Sequence, residues 1–558
     1  RHFWVVVAAQ RVADVVQQCH HHIGLVPAIA VRAGQPYFHS ASGERKATGS
    51  YYTPKIVVDH LITRSVEPAL DAHLARVRAL MDEGREREAG DLFFDFRVAD
   101  LAMGSAHFLV AAVDKIERGM RDFLTATPVP SVRAELQRLA EKAREVYHYY
   151  YHQHYPADET LWARNHRKSP LYDRLAVLGA EFGEKNGWER VNFFRPGEPS
   201  RQAAADQHQW GWGRAPYHDL IREECLAARE RAALFDMSSF GKFEVNGPGA
   251  LGLLQRVACN NVDRPVGSLV YTQFLNAHGG IESDLTVCRL AADRFRVITG
   301  TSFLSNDLEW VRQHAPEDGS VEVRDVTDDL ACIGLWGPNA RDVLDQATDN
   351  DISNDTFPYL TAQELTVAGK PAWAQRVSYV GELGWELLLA NDNADTVWDS
   401  LLELGQAHGI RPAGYKALDS LRMEKGYVYW GTDVTPEDNL LEAGLGFCAD
   451  MAKGDFIGRD AFAKRKKEGL QSRLRTVVLE GNAFPAYGAE SVWHNGEIVS
   501  RLRSAGHAHT IDKSIAYCYL PLPLAKPGMQ VEIELFGERV PAKVTLPIHD
   551  PKSERLKA

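Results

Sequence analysis

From about residue 216 to the end, short apolar runs alternate with polar positions at period two and are separated by turn residues. That alternation predicts antiparallel sheet with one buried face. Leu285–Leu290, Phe295–Ile298, Trp373–Tyr379, Thr476–Leu479 and Val531–Phe536 carry it most clearly. Between them, Asp219–Ala233, Ala394–His408 and Tyr415–Lys425 place apolar residues at helical spacing. Antiparallel strands with interspersed amphipathic helices predict an α+β fold. His494-Asn495-Gly496-Glu497 predicts a hairpin, because Asn-Gly accepts the positive φ of a tight turn. Lys464–Ser472 is basic and polar and reads as a linker before a final all-β domain.

Upstream the texture differs. Residues 1 to about 145 are rich in Ala, Arg and Glu over Ala69–Gly90 and Val132–Glu145, with one strand candidate at Phe93–Ala99. A Tyr/His cluster, Tyr147–Tyr155, then opens a loop-rich stretch. The expected segments are therefore 1–145, 146–215, 216–470 and 471–558, and 558 residues do exceed what one core supports. A net charge of −12 argues against a nonspecific grip on nucleic acid, so no such partner is expected. The seven cysteines (Cys19, Cys225, Cys259, Cys288, Cys332, Cys448, Cys518) form no CxxC pair, which suits a reducing compartment. No stretch approaches the ~20 apolar residues of a membrane span. The chain opens at Arg1 without a charged-then-apolar leader. A cytoplasmic protein without a signal peptide is expected, and the missing Met hints at a truncated or spliced frame. His20-His21-His22 beside Cys19 cannot all face one ion from a regular element, and no metal is expected there. His507 and His509 read as polar residues of a Gly-rich loop.

Three blocks carry chemistry. Gly279-Gly-Ile-Glu-Ser-Asp284-Leu-Thr-Val287 is a glycine turn feeding a strand whose first residue carries a carboxylate, and glycine permits both a tight bend and close ligand approach. Arg376-Val-Ser-Tyr379-Val-Gly-Glu-Leu-Gly-Trp-Glu386 repeats the design, so that Tyr379 and Glu386 can line one cavity from both sides of a turn. Glu382 within it reads as a solvated turn residue. Ala417–Gly426 is a helix stopping on glycine, followed by Trp430-Gly-Thr-Asp433; Arg422 is expected to support the helix through a nearby carboxylate.

These blocks, with the closing Leu546-Pro-Ile-His-Asp-Pro551, resemble the aminomethyltransferase (T-protein) family of the glycine cleavage system. Its variants also form the C-terminal half of sarcosine and dimethylglycine dehydrogenases. Ser169–Leu175 and Phe182–Asn192 resemble the middle region of those flavoenzymes, and there Trp188, Glu189 and Arg190 are expected to serve packing. Leu418 stands where the glycine-cleavage enzyme has a folate-binding arginine, which favours the dehydrogenase branch. The resemblance implies a folate-binding domain closed by a C-terminal β-barrel, with tetrahydrofolate as cofactor. It implies Asp284 as the catalytic carboxylate, Glu386 as the partner of the pterin N–H donors and Tyr379 as a pterin contact. The carbon source would be an iminium derived from an N-methyl amine, or formaldehyde, and a flavin oxidase is a candidate partner. No Gly-x-Gly-x-x-Gly occurs before residue 146, so FAD is not expected on this chain.

The N-terminal part resembles something else. Thr48-Gly-Ser-Tyr-Tyr-Thr53-Pro54, then Asp100-Leu-Ala-Met-Gly104-Ser-Ala-His-Phe-Leu-Val110 after a strand candidate, are similar to the motifs of adenine-specific DNA methyltransferases. The likeness implies S-adenosylmethionine contacts at Thr53, Asp100 and Gly104. The Asn/Asp-Pro-Pro-Tyr/Phe tetrapeptide of that family is absent. A partial α/β methyltransferase-like segment without methylation activity is therefore expected, since function rests on the site and not the fold.

Overall fold

Period-two alternation becomes strand pairing through most of the chain's second part. The computed structural model describes residues 4–6, 55–99, 107–149, 155–156, 158–202, 211–481 and 485–558. Contacts divide the chain into two units, Arg1–Arg144 and Glu145–Ala558.

In the first unit Trp4–Val6 pairs in parallel with Arg97–Ala99. Helices Glu67–Asp82 and Glu86–Phe94 bury Leu70, Leu74, Val77, Ala89 and Phe93 together. The expected strand Phe93–Ala99 is thus shorter at its start. Ala89 and Phe93 stand one turn apart on the buried face of a helix, which captures both phenylalanines before the strand begins. Thr53, Asp100 and Gly104 lie outside the described residues, as do Cys19 and His20-His21-His22.

In the second unit β1 (Ala180–Lys185) and β2 (Trp188–Phe194) form a hairpin, followed by helix α1 (His218–Glu230). The first sheet contains β4 (Gly241–Asn246), β5 (Leu269–Leu275), β6 (Ile281–Ala291), β7 (Arg294–Thr299) and β8 (Glu322–Asp325), in the antiparallel order β8-β4-β7-β6-β5. The second contains β3 (Ala233–Asp236), β9 (Leu330–Trp336), β10 (Ala362–Val367), β11 (Lys370–Gln375), β12 (Gly384–Ala390) and the short β13 (Arg411–Pro412), in the order β10-β11-β12-β9-β3-β13. Helices α2 (Ala394–Leu404), α3 (Tyr415–Lys425) and α4 (Arg459–Glu468) follow. A closed barrel ends the chain: β14 (Ser472–Leu479), β15 (Ser491–His494), β16 (Glu497–Ala508), β17 (Lys513–Pro521), β18 (Gln530–Leu535) and β19 (Glu538–Thr545), joined β14-β17-β16-β15-β18-β19. Closure leaves no strand edge exposed. Among the described residues no helix is long and apolar enough to cross a membrane.

Two expectations change. The basic stretch from Lys464 is not a linker: Lys464–Glu468 is the last turn of α4, where positive side chains suit the helix C-terminus, and β14 starts at Ser472. Trp373–Tyr379 is strand only to Gln375. From Arg376 the backbone bonds instead to Leu360 and Thr361 and enters a loop, so Tyr379 sits in that loop. The Asn495-Gly496 turn forms as expected, with φ of 53° and 85° and His494 opposite Glu497.

α3 is the internal strut. Its residues Ala417 to Lys425 are buried apart from Asp419, and Gly426 ends it at φ 83°. Arg422 donates to Asp433 at 2.6 Å, Asp419 at 2.8 Å and Ser504 on β16 at 2.8 Å. Replacing Arg422 with Met strands the buried Asp433 carboxylate, and we expect a loss of about 3–5 kcal/mol, read as a large fall in Tm. The β5–β6 turn has a steric constraint: a Cβ on Gly280 would stand 1.8 Å from the Pro436 carbonyl oxygen. Gly280→Ala is expected to cost about 1–3 kcal/mol through forced backbone displacement, checked by urea denaturation.

Candidate active site

Strand parity decides which side chains face the space between the two sheets. On β6, Leu285 and Val287 enter a core with Leu253 and Leu308, and Ser283 on the same face donates to Asp307 at 2.6 Å. Asp284, Thr286 and Cys288 therefore point the other way. On β12, Trp385, Leu387 and Leu389 enter a core with Val397 and Leu401 of α2, so Glu386 and Leu388 take the opposite face. Three contacts show that these faces look at each other. Ile298 of β7 packs in one cluster with Leu388 and Trp373 of the second sheet. Trp373 also packs against Cys288. The Lys242 charge on β4 acts on Glu386. Asp284, Thr286, Ile298, Trp373, Tyr379, Glu386 and Tyr415 all remain only partly buried. Side chains with this much solvent access on two facing sheets mark the candidate cleft.

Asp284 sits four residues into β6 rather than at its entrance. Its cross-strand partner Gln273 donates an amide N–H at 2.7 Å, and the Tyr271 hydroxyl also bonds to it. Burial pushes its carboxyl up to about 6, against those two hydrogen bonds and with help from the nearby Asp307. Tyr379 reaches the same neighbourhood from the loop after β11. Its hydroxyl donates to the Val428 carbonyl at 2.9 Å, and its ring lies nearly parallel to Tyr427 with centroids 6.0 Å apart. Burial raises its phenol well above the ordinary value; Arg422 opposes that shift and Asp284 adds to it. With its proton committed to Val428, the phenol can offer a ligand its ring face and its oxygen lone pair.

Glu386 has a different setting. Its carboxylate takes no hydrogen bond from the described residues, and burial raises it to about 7 while Lys242 pulls the other way. Directly across the strand stands Gln375, fully buried, with both amide atoms unbonded. On its other side is Gly334, which adds no side chain over the sheet. Lys242 is itself buried, which lowers its amine to about 8, and it donates to the Ser238 and Phe240 carbonyls at 2.8 and 2.9 Å. At the helix side, Tyr415 bonds to Ser239 at 3.0 Å and lies under the Arg190 guanidinium, 3.3 Å from ring centroid to Cζ. Glu189 next to it pairs with Arg164, and Trp188 lies under Arg167.

The motifs thus brought Asp284 and Tyr379 together and put Glu386 on the facing sheet. They did not identify Tyr271, Gln273, Gln375, Lys242 or Tyr415, whose relevance depends on strand register. Gln375 carried one local signal, lying two positions after Trp373 and hence on the same face. Glu382 is not a solvated turn residue. It is buried, with Arg229 and Arg555 donating to it at 3.4 and 3.1 Å. Its partners come from α1 and the chain's end, beyond the reach of local sequence reading. Arg422 pairs with carboxylates as expected.

Comparison with known proteins agrees with this architecture. The GCVT N-terminal domain family matches residues 171–453, starting within the segment read as a bridge, and the glycine cleavage T-protein C-terminal barrel domain matches 473–549. Neither match reaches the residues that resemble DNA methyltransferases. Human mitochondrial sarcosine dehydrogenase is 34% identical over 492 residues, covering 81% of this chain and 53% of that protein. An aminomethyltransferase of Halothermothrix orenii is 34% identical over 379 residues, covering 68% and 98%. The crystal structure of glycine cleavage system aminomethyltransferase T from Bartonella henselae shares the fold, with a TM-score of 0.59 at 24% identity over 69% of this chain and 99% of that one. The chain spans about half the length of the sarcosine dehydrogenases it matches. By both domain matches and by a likeness that spans 98% of an aminomethyltransferase's own length, this chain belongs to the glycine cleavage T-protein family.

Proposed function

We propose that this chain transfers a one-carbon unit at the methylene level to tetrahydrofolate, giving 5,10-methylenetetrahydrofolate. Family membership supports a folate-related one-carbon function. The observation that carries the specific reading is the pair of raised carboxyl groups on facing sheets, one hydrogen-bonded and one without a partner. The residues fit a pterin. Glu386 and the unbonded Gln375 amide offer acceptors and donors for a planar ring edge, and leaving that amide unpaired costs about 1–3 kcal/mol. Tyr379 offers an aromatic face.

Tetrahydrofolate would supply the nucleophilic nitrogens, N5 and N10. Glu386, once ionised, accepts two N–H bonds from the pterin edge and fixes its orientation. Asp284 is held in place by Gln273 and Tyr271, and it accepts the proton released as a ring nitrogen bonds to the electrophilic carbon. The carbon would come from an iminium made by a flavin-dependent amine oxidase acting as partner, whose amine leaves carrying the protons released from N5 and N10, or from formaldehyde, whose oxygen leaves with them as water. Asp284, Tyr379 and Glu386 are the residues assigned to the site.

The test is formation of methylenetetrahydrofolate from tetrahydrofolate and formaldehyde, measured above the uncatalysed condensation. Asp284→Asn is expected to lower the rate about 10²-fold or more. Because the ionised carboxylate is the working form, the wild-type rate should fall as the pH drops through about 6, and the variant should lose that limb. Equal rates would remove Asp284 from the mechanism, and binding without turnover would make the chain a folate-binding protein. A second measurement isolates Glu386. Its proton must leave before it accepts N–H donors, so tetrahydrofolate affinity should weaken below about pH 7, by up to about tenfold per unit. Glu386→Gln should bind weakly with no such pH dependence in titration calorimetry.

A further inference from the structure

Three histidines meet outside the cleft. His218 is the first residue of α1, His507 lies on β16, and His509 follows two positions later on the same side of the chain. His507 thus belongs to a strand rather than to the loop the sequence indicated, while His509 does lie in the turn that follows it. The three rings approach edge to face or tilted, with centroids 4.6, 4.7 and 4.8 Å apart, and one nitrogen from each lies within 4.8 Å of the others. His509 is 4% exposed and its Nδ1 has no hydrogen-bond partner. His507 bonds through Nε2 to Asp512 Oδ1 at 3.0 Å, so Nδ1 is the nitrogen its ring has left for a ligand.

We infer that His218, His507 and His509 form a binding site for a single divalent transition-metal ion of the zinc type, clipping α1 to the barrel. Aromatic packing alone accounts for the ring contacts but not for a buried imidazole nitrogen left unbonded. A metal ion satisfies it. Imidazole suits borderline cations such as zinc, and three histidines leave a fourth position for water. Asp512 stands where a carboxylate orients a ligating imidazole and raises its basicity. Zinc–nitrogen bonds of ~2.0–2.1 Å bring tetrahedral donors to roughly 3.3 Å from each other, so the rings need to draw inward by side-chain rotation. Asp219, Asp512 and Glu424 supply negative charge around the cluster, against Arg214 and Arg222. Among the described residues no other group of three or more His, Cys, Asp or Glu has this convergence.

The inference is independent of the folate reading. The full chain, stripped with chelator and dialysed against zinc sulfate, should retain one more equivalent of zinc by mass spectrometry than His509→Ala. Reading the difference removes any contribution from His20-His21-His22. His218→Asn, at an open helix start, gives the same comparison should His509→Ala fail to fold. Cobalt(II) should produce visible d–d bands in the wild type that both variants lack, and zinc should raise the wild-type Tm by several degrees and theirs not at all. Equal zinc content in wild type and folded variants, or cobalt spectra that do not differ, would overturn the site and leave a packed aromatic cluster.

Discussion

The buried ion pair between Arg422 and Asp433 is the contact on which the rest of the second unit depends. Removing two charges from water is costly, and such a pair is tolerated when its remaining lone pairs and protons are also bonded. Here they are. Arg422 also donates to Asp419, Ser504 and the Tyr427 carbonyl, while Asp433 accepts the backbone N–H groups of Tyr429 and Ser504. One guanidinium thereby joins α3, the loop after it and a barrel strand. The same loop packs Tyr429 and Trp430 against Phe303, and Trp430 donates to the Ile281 carbonyl at the start of β6. The strand that carries Asp284 is thus braced from the helix that carries Arg422.

The two cleft carboxyl groups share a cause for their raised basicity and differ in everything else. Burial acts on both. Asp284 has two donors from β5, Gln273 and Tyr271, and these hold its position and moderate its shift. Glu386 has only the distant charge of Lys242 to favour ionisation. A positioned group that titrates near 6 suits proton transfer, whereas an unpartnered one near 7 is stabilised most by donors brought from outside. The proposed division of labour between base and anchor would rest on the register of β5 on β6 and of β11 on β12.

The parts of this arrangement that were legible in the sequence are the local ones. Alternation gave away β6, β7, β14 and β18, Asn495-Gly496 its hairpin, and the glycine at 426 the end of α3, because each depends on residues a few positions apart. The environment of Glu382 was not legible, because Arg229 and Arg555 reach it from opposite ends of the unit. The role open to Gln375 needs β12 beside it, and the meeting of His218 with His507 needs the barrel docked on α1. The Lys464 run was misread for a related reason. Charge density indicates exposure, and an exposed helix end looks like a linker until its hydrogen bonds are known.

Unbonded buried polar atoms do not mark a site by themselves. The indole nitrogens of Trp385 and Trp398 are also unbonded, yet they lie in an apolar core built from Leu387, Val397 and Leu401. Around Trp398 that core is apolar, and the Arg341 and Arg376 guanidiniums near Trp385 lie over its ring, so a ligand would gain little at either nitrogen. Gln375 differs because an unpartnered carboxylate stands opposite it and aromatic rings flank the space. His509 differs because two further imidazoles point at the same spot. Convergence of several unsatisfied groups is the physical condition for binding, since each adds its own desolvation penalty and one ligand relieves them together.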